Sequence, residues 1–232
     1  MSQEPFPRFC VSLLARTNQE ALRRMAEPLE PEVIIELRID SIPRINLKKL
    51  MAQKKGEILI TNRSQKEGGF FRESEQERVA LLLEAVTLGA DYVDLEMGTE
   101  ASLIRKLRKH IDTSGAGTQL ILSYHNQETT PGFEGLKKKL EEGRKAGADI
   151  IKIVSLAGEM ADNLEMLRLI PYARNKGLKV IAFCMGEKGK ISRIMAPWLG
   201  SYLTYAAWAK GMEAAPGQMT IKELKQVFRI VH

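Results

Sequence analysis

The chain has 232 residues, of which 44% are hydrophobic, and its formal net charge is +6. This length and apolar content are sufficient for one substantial buried core. The positive excess is scattered among 29 acidic residues and forms no basic tract, so it indicates a small anionic ligand and argues against nucleic acid as a partner.

The two cysteines, Cys10 and Cys184, are far apart and belong to no CxxC or Cys/His pattern. They predict neither a disulfide framework nor a zinc site, and reduced thiols favour an intracellular protein. No apolar run approaches the roughly 20 residues that span a bilayer, and the N-terminal MSQEPFPRF lacks the segments of a signal peptide. We therefore expect a soluble, cytoplasmic protein without a membrane partner.

Short β-branched runs recur along the chain, and a stretch with helical periodicity follows each of them, as in βαβ units. The predicted strands are Phe9–Leu14, Val33–Ile39, Glu57–Asn62, Tyr92–Glu96, Gln119–His125, Ile150–Ser155, Lys179–Cys184 and Ser201–Ala206. Strands this apolar predict an α/β fold of the (β/α)8 TIM-barrel type. No GxGxxG motif follows the first strand, which disfavours an open doubly wound sheet. Since no Pro-rich or Ser-rich linker interrupts residues 1–232, we expect a single barrel domain.

Several helix ends are marked by capping residues and glycines. Ser74 and Glu77 predict a capping box that opens a helix, and Gly89 is expected to close that helix. Gly147 and Gly177 stand where glycines commonly follow a helix, shortly before the sixth and seventh strands.

The sixth strand contains one residue that does not suit a buried strand. Lys152 stands within the apolar run 150–154, and both faces of a parallel sheet are normally covered. Burial favours the neutral amine, which can attack a carbonyl group and form an imine. For a buried lysine taken alone, a structural ion pair is the commoner explanation.

A weak internal repeat suggests a partner for this lysine. The segment Gly89–Asp94 aligns with Gly147–Lys152, so Asp94 on strand four corresponds to Lys152 on strand six. Because the layers inside a barrel are built from alternate strands, we expect Asp94 in or beside the lysine's layer, where it would stabilise the charged amine. An ordinary aspartate at a strand end fits the repeat equally well.

Further polar residues lie near the ends of predicted strands. Side chains two residues apart share one face of a strand, and the active site of a barrel lies at the C-terminal ends of its strands. Three strands carry such polar pairs: Glu36 with Arg38, Thr61 with Arg63, and Ser123 with His125. This pattern predicts a polar cup above an apolar barrel interior.

One of the three histidines is a catalytic candidate. His110 belongs to a basic helix end and His232 is the last residue, which leaves His125 at the end of a strand. A histidine there can act as general acid and base near neutral pH. No second histidine or cysteine accompanies it, so we expect no metal site.

Two loops after the later strands are candidates for ligand contacts. The loop 184–193 contains glycine and leads into a helix, a place that suits anions. This loop is compatible with a phosphate site, and equally with a single arginine, Arg193, directed at a carboxylate. For Lys188 and Lys190, exposure to solvent is a sufficient explanation. The loop 213–218, with its small residues and Pro-Gly break, could close over a ligand.

Taken together, these segments resemble the type I 3-dehydroquinate dehydratases over nearly the whole chain. The resembling motifs are Glu36-Leu37-Arg38-Ile39-Asp40, Asn62-Arg63-Ser64-Gln65-Lys66-Glu67-Gly68-Gly69, Ser123-Tyr124-His125-Asn126, Ile151-Lys152-Ile153, Gly189-Lys190-Ile191-Ser192-Arg193 and Ala215-Pro216-Gly217-Gln218. The resemblance implies a homodimeric barrel lyase that converts 3-dehydroquinate, a small molecule, to 3-dehydroshikimate and water without metal or cofactor.

The resemblance also implies the catalytic roles. Lys152 matches the lysine that forms a Schiff base with the C3 ketone. His125 matches the general base that removes a C2 proton and then, as an acid, helps the C1 hydroxyl leave. Glu67 matches the carboxylate that orients this histidine.

Substrate-binding positions follow from the same resemblance. Glu36, Arg38 and Arg63 match groups that contact the ring hydroxyls, and Arg193 and Gln218 match groups that hold the substrate carboxylate. The residues expected around them are Asp94, Ser12, Met185 and Ala214. Ala214 departs from the serine that the family often has there, which removes one hydrogen bond to the carboxylate.

Two other functions are weighed against this one. A class I Schiff-base aldolase would keep the imine but requires a phosphate site, and the loop after strand eight offers no Gly-Gly nest for one. A non-catalytic ligand-sensing barrel would not need His125, Lys152 and Glu67 together. We therefore favour the dehydratase.

Overall fold

The structure is a computed structural model that describes residues 8–30 and 32–231, except for the side chain of residue 231. The segment 1–7, which holds most of the N-terminal sequence considered above, and His232 lie outside the described residues.

Eight parallel strands make up a barrel in the described residues. They are β1 (Phe9–Leu13), β2 (Ile34–Arg38), β3 (Ile58–Thr61), β4 (Tyr92–Glu96), β5 (Gln119–Asn126), β6 (Ile150–Leu156), β7 (Val180–Met185) and β8 (Thr204–Ala207). Each strand pairs with the next from β1 to β7, and β8 pairs with β1. The seam between β7 and β8 is bridged by the backbone N–H of Tyr202, which donates to the carbonyl of Val180 at 2.8 Å. The predicted (β/α)8 fold is confirmed.

Eight α-helices alternate with these strands in the described part of the chain. They are α1 (Asn18–Ala26), α2 (Leu47–Met51), α3 (Glu75–Thr87), α4 (Ala101–Ser114), α5 (Phe133–Lys145), α6 (Asp162–Arg174), α7 (Lys190–Trp198) and α8 (Ile221–Val231). Their apolar faces pack against the outer faces of the strands in large buried clusters. None of the described helices is long and apolar enough to cross a bilayer.

Seven predicted strands agree with the structure to within one residue at each end, and the eighth does not. The predicted start at Ser201 is wrong, because β8 begins at Thr204. The preceding residues follow a turn at Gly200, whose φ is 94°, and among the described residues 201–203 only Tyr202 donates a backbone hydrogen bond to β7. A single bond of this kind does not extend the strand.

The predicted helix ends are confirmed. The Ser74 hydroxyl accepts from the backbone N–H of Glu77 at 3.2 Å, and the Glu77 carboxylate accepts from the backbone N–H of Ser74 at 2.9 Å. Gly89, Gly147 and Gly177 all have positive φ angles, the left-handed conformation that glycine adopts without steric cost.

The interior of the barrel changes from apolar to polar toward the C-terminal ends of the strands. Lower down, side chains from β1, β3, β5 and β7 form an apolar layer, Cys10, Leu59, Ile121 and Ile181. One residue higher, the even-numbered strands contribute Glu36, Asp94, Lys152 and Tyr205, which meet around the lysine nitrogen. The expected layer shared by Asp94 and Lys152 is therefore present.

The N-terminal end of the barrel is closed by a polar cluster. Arg8 donates to the hydroxyl of Tyr92 at 3.1 Å, and the hydroxyls of Tyr92 and Tyr202 lie 3.0 Å apart. The Tyr92 hydroxyl also donates to Glu57 at 3.1 Å. Among the described residues, these side chains therefore occupy the end of the barrel opposite the polar layer around Lys152.

The N-cap of α3 provides a test of the fold. We expect Ser74→Ala to lower the free energy of unfolding by about 1 kcal/mol, because an N-terminal N–H of the helix loses its acceptor. Urea denaturation would measure the change, and Gln76→Ala, an exposed change in the same helix, is the control. Equal stability of the two variants would contradict the prediction.

Candidate active site

Lys152 lies among three partners from the other even-numbered strands. Its side-chain nitrogen donates to Asp94 at 3.0 Å and to the Tyr205 hydroxyl at 3.0 Å, and it lies 3.8 Å from a Glu36 oxygen. The residue is only 4% exposed. A buried ammonium needs such carboxylates to offset the loss of hydration. The contact between Lys152 and Asp94 is therefore both the structural ion pair that is common for a buried lysine and the partner predicted from the internal repeat.

Glu36 is itself fixed by two hydroxyl groups. Ser12 donates to one carboxylate oxygen at 2.6 Å, and Thr61 donates to the other at 2.9 Å. These strand residues hold the carboxylate beside the lysine in one orientation.

Arg63 connects β3 to the next two strands. Its guanidinium donates to Asp94 at 2.8 Å and to the Ser123 hydroxyl at 2.8 Å, and it lies 3.1 Å from Glu96. Glu96 is also paired with Arg78, a buried residue of α3. Asp94 therefore bridges Arg63 and Lys152. The arginine and lysine charges lower the pKa of Asp94 well below its usual value, although burial alone would raise it.

His125 and Glu67 form a second unit at the mouth of the barrel. His125 Nδ1 lies 2.8 Å from a Glu67 oxygen, which also accepts from the His125 backbone N–H at 3.1 Å. Burial, followed by the charges of Arg63 and Lys152, lowers the pKa of His125 well below its usual value. Burial also raises the pKa of Glu67 to about 7, with Glu96 and Asp94 adding to the increase. The imidazole is therefore neutral at neutral pH, as a general base must be.

The loop that carries Glu67 is held close to β3. A Cβ on Gly69 would stand 2.0 Å from the carbonyl oxygen of Arg63, so only glycine fits without displacing the backbone. The backbone N–H of Phe70 donates to Asp40 at 3.1 Å, and Asp40 forms a bidentate pair with Arg38 at 2.9 and 2.8 Å. This contact ties the loop to β2.

Arg193 differs from the other arginines of the site. It is 1% exposed, stacks on the Phe183 ring at 4.5 Å, and has no carboxylate partner among the described residues. In the described part of the chain its guanidinium donates only to the carbonyl of Pro216, at 3.4 Å, and Nε has no hydrogen-bond partner there. Burial lowers its pKa to about 10. A buried, unpaired guanidinium beside a cavity is a strong candidate for binding an anionic ligand.

The loop after β8 closes one side of the cavity. The Pro216 carbonyl accepts from the backbone N–H of Gly186 at 3.0 Å, and a Cβ on Gly217 would lie 2.2 Å from the Gly186 oxygen. Gln218 accepts from the backbone N–H of Ala214 at 2.7 Å, and its amide nitrogen lies 3.5 Å from the Ser12 hydroxyl. The loop therefore lies directly over the barrel mouth.

A cavity of about 290 Å³ lies between these groups. Most of the residues singled out in the sequence line it: Lys152, His125, Glu67, Glu36, Arg38, Arg63, Arg193, Gln218, Ser12, Met185 and Ala214. Asp94 lies behind the lysine, in contact with it. The volume is at the lower end for ligand pockets and suits a small molecule.

Some of the residues considered in the sequence lie elsewhere, and others were missed. Lys188 donates to the carbonyl of Gly158 and Lys190 to Glu187, so neither faces the cavity. Tyr205, Asp40, Glu96 and Arg78 were not predicted. Tyr205 belongs to an even-numbered strand, so the alternation that pointed to Asp94 could have pointed to it as well. In the part of the chain that the structure describes, no cluster of three or more His, Cys, Asp or Glu side chains could hold a metal ion.

The position of the site narrows the class of protein. Enzymes built on (β/α)8 barrels carry their reacting groups at the C-terminal ends of the strands, and the polar residues of this chain surround a small cavity there. The fold and the site define a barrel enzyme that acts on a small anionic ligand.

The chain belongs to the type I 3-dehydroquinase family, whose model matches residues 9–232. It is 38% identical to the 3-dehydroquinate dehydratase of Desulfotalea psychrophila over 95% of this chain and 96% of the relative. The crystal structure of the Aquifex aeolicus 3-dehydroquinate dehydratase has a TM-score of 0.77 at 31% identity, covering 97% and 98% of the two chains.

A second solved structure is the type I enzyme of Clostridium difficile with covalently modified comenic acid. It has a TM-score of 0.87 at 25% identity and covers 99% of this chain and 93% of its own. The family expected from the motifs is confirmed.

The histidine–glutamate pair predicts a pH dependence. Because the pKa of Glu67 is about 7, its carboxylate becomes protonated as the pH falls through that value and no longer holds the proton on Nδ1. The neutral form of His125 persists over this range, since its own pKa is lowered. We therefore expect kcat/KM to decrease as the pH falls below about 7.

Glu67→Gln should lower kcat at pH 8 by at least about 10-fold and remove this acid limb. Steady-state kinetics between pH 5.5 and about 9 would measure both effects. Glu73→Gln, an exposed change on the same loop, should keep the wild-type profile. An acid limb that persists in Glu67→Gln would show that another group causes it.

Proposed function

We propose that the protein converts 3-dehydroquinate to 3-dehydroshikimate and water through an imine between Lys152 and the C3 ketone. The observation that carries the proposal is a buried lysine that faces a small cavity together with His125 from the neighbouring strand. Membership of the type I 3-dehydroquinase family supports the substrate.

The first step is attack by the Lys152 amine. In the resting site Asp94 and Glu36 stabilise the ammonium, so one proton must pass to solvent before the nitrogen lone pair attacks C3. After the ketone oxygen leaves as water, the product is a positively charged iminium, which the same carboxylates stabilise. This cation withdraws electrons from C2 and acidifies its proton.

His125 then transfers protons at the ring. In its neutral form it accepts the C2 proton, and the resulting enamine expels the C1 hydroxyl, which receives the same proton and leaves as water. Glu67 orients the imidazole through Nδ1 and stabilises the imidazolium that forms between these two events. Hydrolysis of the iminium releases the product and regenerates the amine.

The remaining groups position the substrate. We propose that Arg193 and Gln218 hold its carboxylate, since Arg193 is a buried cation that lacks a carboxylate partner among the described residues. Arg38, Arg63 and Glu36 face the same cavity and are placed to contact the ring hydroxyls.

The two alternative functions receive less support. An aldolase acting on a phosphorylated substrate needs a phosphate site, and the two lysines of the β7 loop are engaged outside the cavity. A ligand sensor would bind 3-dehydroquinate without turnover, so the absorbance of the enone product distinguishes it from the enzyme. Single-domain organisation, a cytoplasmic location and a homodimer stay predictions, and light scattering would test the last.

Reductive trapping tests the imine. Protein mixed with 3-dehydroquinate and borohydride should gain one covalent adduct on Lys152, and Lys152→Met should lose both adduct and turnover. Lys179→Met, an exposed lysine change at the other end of the barrel, is the control. His125→Ala should still form the adduct, with kcat reduced by about 10²- to 10⁴-fold. An adduct on another residue, or wild-type turnover in His125→Ala, would contradict the mechanism.

Arg193 provides a separate test of carboxylate binding. Arg193→Met should lower kcat/KM by about 10- to 100-fold, the cost of a lost charged hydrogen bond. It should leave the free energy of unfolding equal or higher, because a buried unpaired charge is removed. Kinetics and urea denaturation would measure the two effects, with the exposed Arg105→Met as control. Unchanged kcat/KM would exclude this role.

A further inference from the structure

Tyr205 contacts the reacting nitrogen of the proposed mechanism, although neither the imine chemistry nor the proton transfer by His125 involves it. Its hydroxyl oxygen accepts a hydrogen bond from Lys152 Nζ at 3.0 Å, and the same nitrogen lies 4.2 Å from the centre of its ring. The residue is 4% exposed and lines the cavity. Its hydroxyl therefore lies beside the attacking nitrogen and at the wall of the cavity in which the ketone would bind.

The surroundings of Tyr205 keep its hydroxyl protonated. Burial raises the pKa of Tyr205 well above its usual value, and the negative charges of Glu36 and Asp94 raise it further. Among the described residues, its oxygen accepts from Lys152, and neither carboxylate accepts the phenol proton. A phenol of this kind cannot serve as a base by itself, but it can exchange one proton for another while staying neutral.

We propose that Tyr205 is a further catalytic residue, which relays a proton from the attacking Lys152 nitrogen to the substrate's ketone oxygen. As the nitrogen–carbon bond forms and the carbonyl π bond breaks, the phenol oxygen takes one N–H proton and its own proton passes to the ketone oxygen. The tyrosine ends neutral, and the product is the uncharged carbinolamine. Loss of that hydroxyl as water needs one more proton, which solvent supplies before the C2 step.

Asp94 and Glu36 do not provide the same relay. Asp94 is a poor proton acceptor, because the charges of Arg63 and Lys152 lower its pKa well below the usual value although burial alone would raise it. Both oxygens of Glu36 already accept from hydroxyls, those of Ser12 and Thr61, and neither carboxylate has a proton of its own to give to the ketone oxygen. His125 lies nearer the mouth, paired with Glu67. Of the described groups in contact with the Lys152 nitrogen, the Tyr205 phenol is therefore the one that has a proton to donate to the ketone oxygen.

The proposal rests on the imine at Lys152 and is tested on the imine step alone. The product 3-dehydroshikimate retains the ketone, so adduct formation with it requires no proton removal at C2. Enzyme and 3-dehydroshikimate would be mixed, quenched with borohydride at increasing times, and the adduct measured by mass spectrometry. We expect Tyr205→Phe to form the adduct at least about 10-fold more slowly than wild type, with the dissociation constant for 3-dehydroshikimate changed by less than about 2-fold.

Tyr202→Phe is the matched control, since it removes a hydroxyl from the cluster at the closed end of the barrel and should form the adduct at the wild-type rate. A Tyr205→Phe rate within about 2-fold of wild type would overturn the relay while leaving the imine intact. Failure of the wild type to form any adduct would instead overturn the proposed function.

A measurement on the wild type keeps the proposal falsifiable if Tyr205→Phe does not fold. The rate of adduct formation would be measured in mixtures of H2O and D2O. Two protons moving together give a curved dependence on the deuterium fraction, which is the result we expect. A linear dependence would contradict a relay through the phenol.

Discussion

The pairing of Lys152 with Asp94 is the interaction on which the rest of the site depends. An ammonium held inside a barrel is stable only beside a carboxylate, and a buried carboxylate needs further donors. Arg63 supplies one of these donors to Asp94, and Ser123 supplies another. These hydrogen-bonding groups lie on, or directly after, four different strands, so the network links β3 to β6.

The network also extends outward from the barrel. Glu96 receives Arg63 from one side and Arg78 from the other, so a helix outside the sheet contributes to the electrostatics of the interior. Gly69 lets the loop with Glu67 approach the Arg63 backbone. The position of the proposed general base therefore depends on the same arginine that supports the lysine's partner, which is the preorganisation that a proton-transfer site requires.

The sequence predicted the barrel and most of the cavity for identifiable reasons. Parallel strands are apolar on both faces, so a lysine within one is conspicuous, and the internal repeat together with the alternation of barrel layers predicted Asp94 beside Lys152. Tyr205 was missed although it belongs to an even-numbered strand, because a tyrosine is an ordinary strand residue and the predicted start of β8 was three positions too early. Arg78 lies on a helix, and no rule for strand faces applies to it. The roles of Glu67 and Arg193 came from the resemblance, since both lie on loops or helix starts that periodicity does not orient.

Two of the buried cations that line the cavity, Lys152 and Arg193, differ in their partners, and the proposed chemistry gives a reason. Lys152 is positively charged both as the resting ammonium and as the iminium, so permanent carboxylate partners suit it before and after imine formation. Arg193 faces a charge that arrives only with the ligand. A permanent partner would compete with the substrate carboxylate, whereas a guanidinium left unpaired in the protein gains its full charged hydrogen bonds on binding. In the proposed mechanism the folded protein thus tolerates an unfavourable buried charge, and binding of the substrate carboxylate offsets it at the place where the ring is held for attack by the lysine.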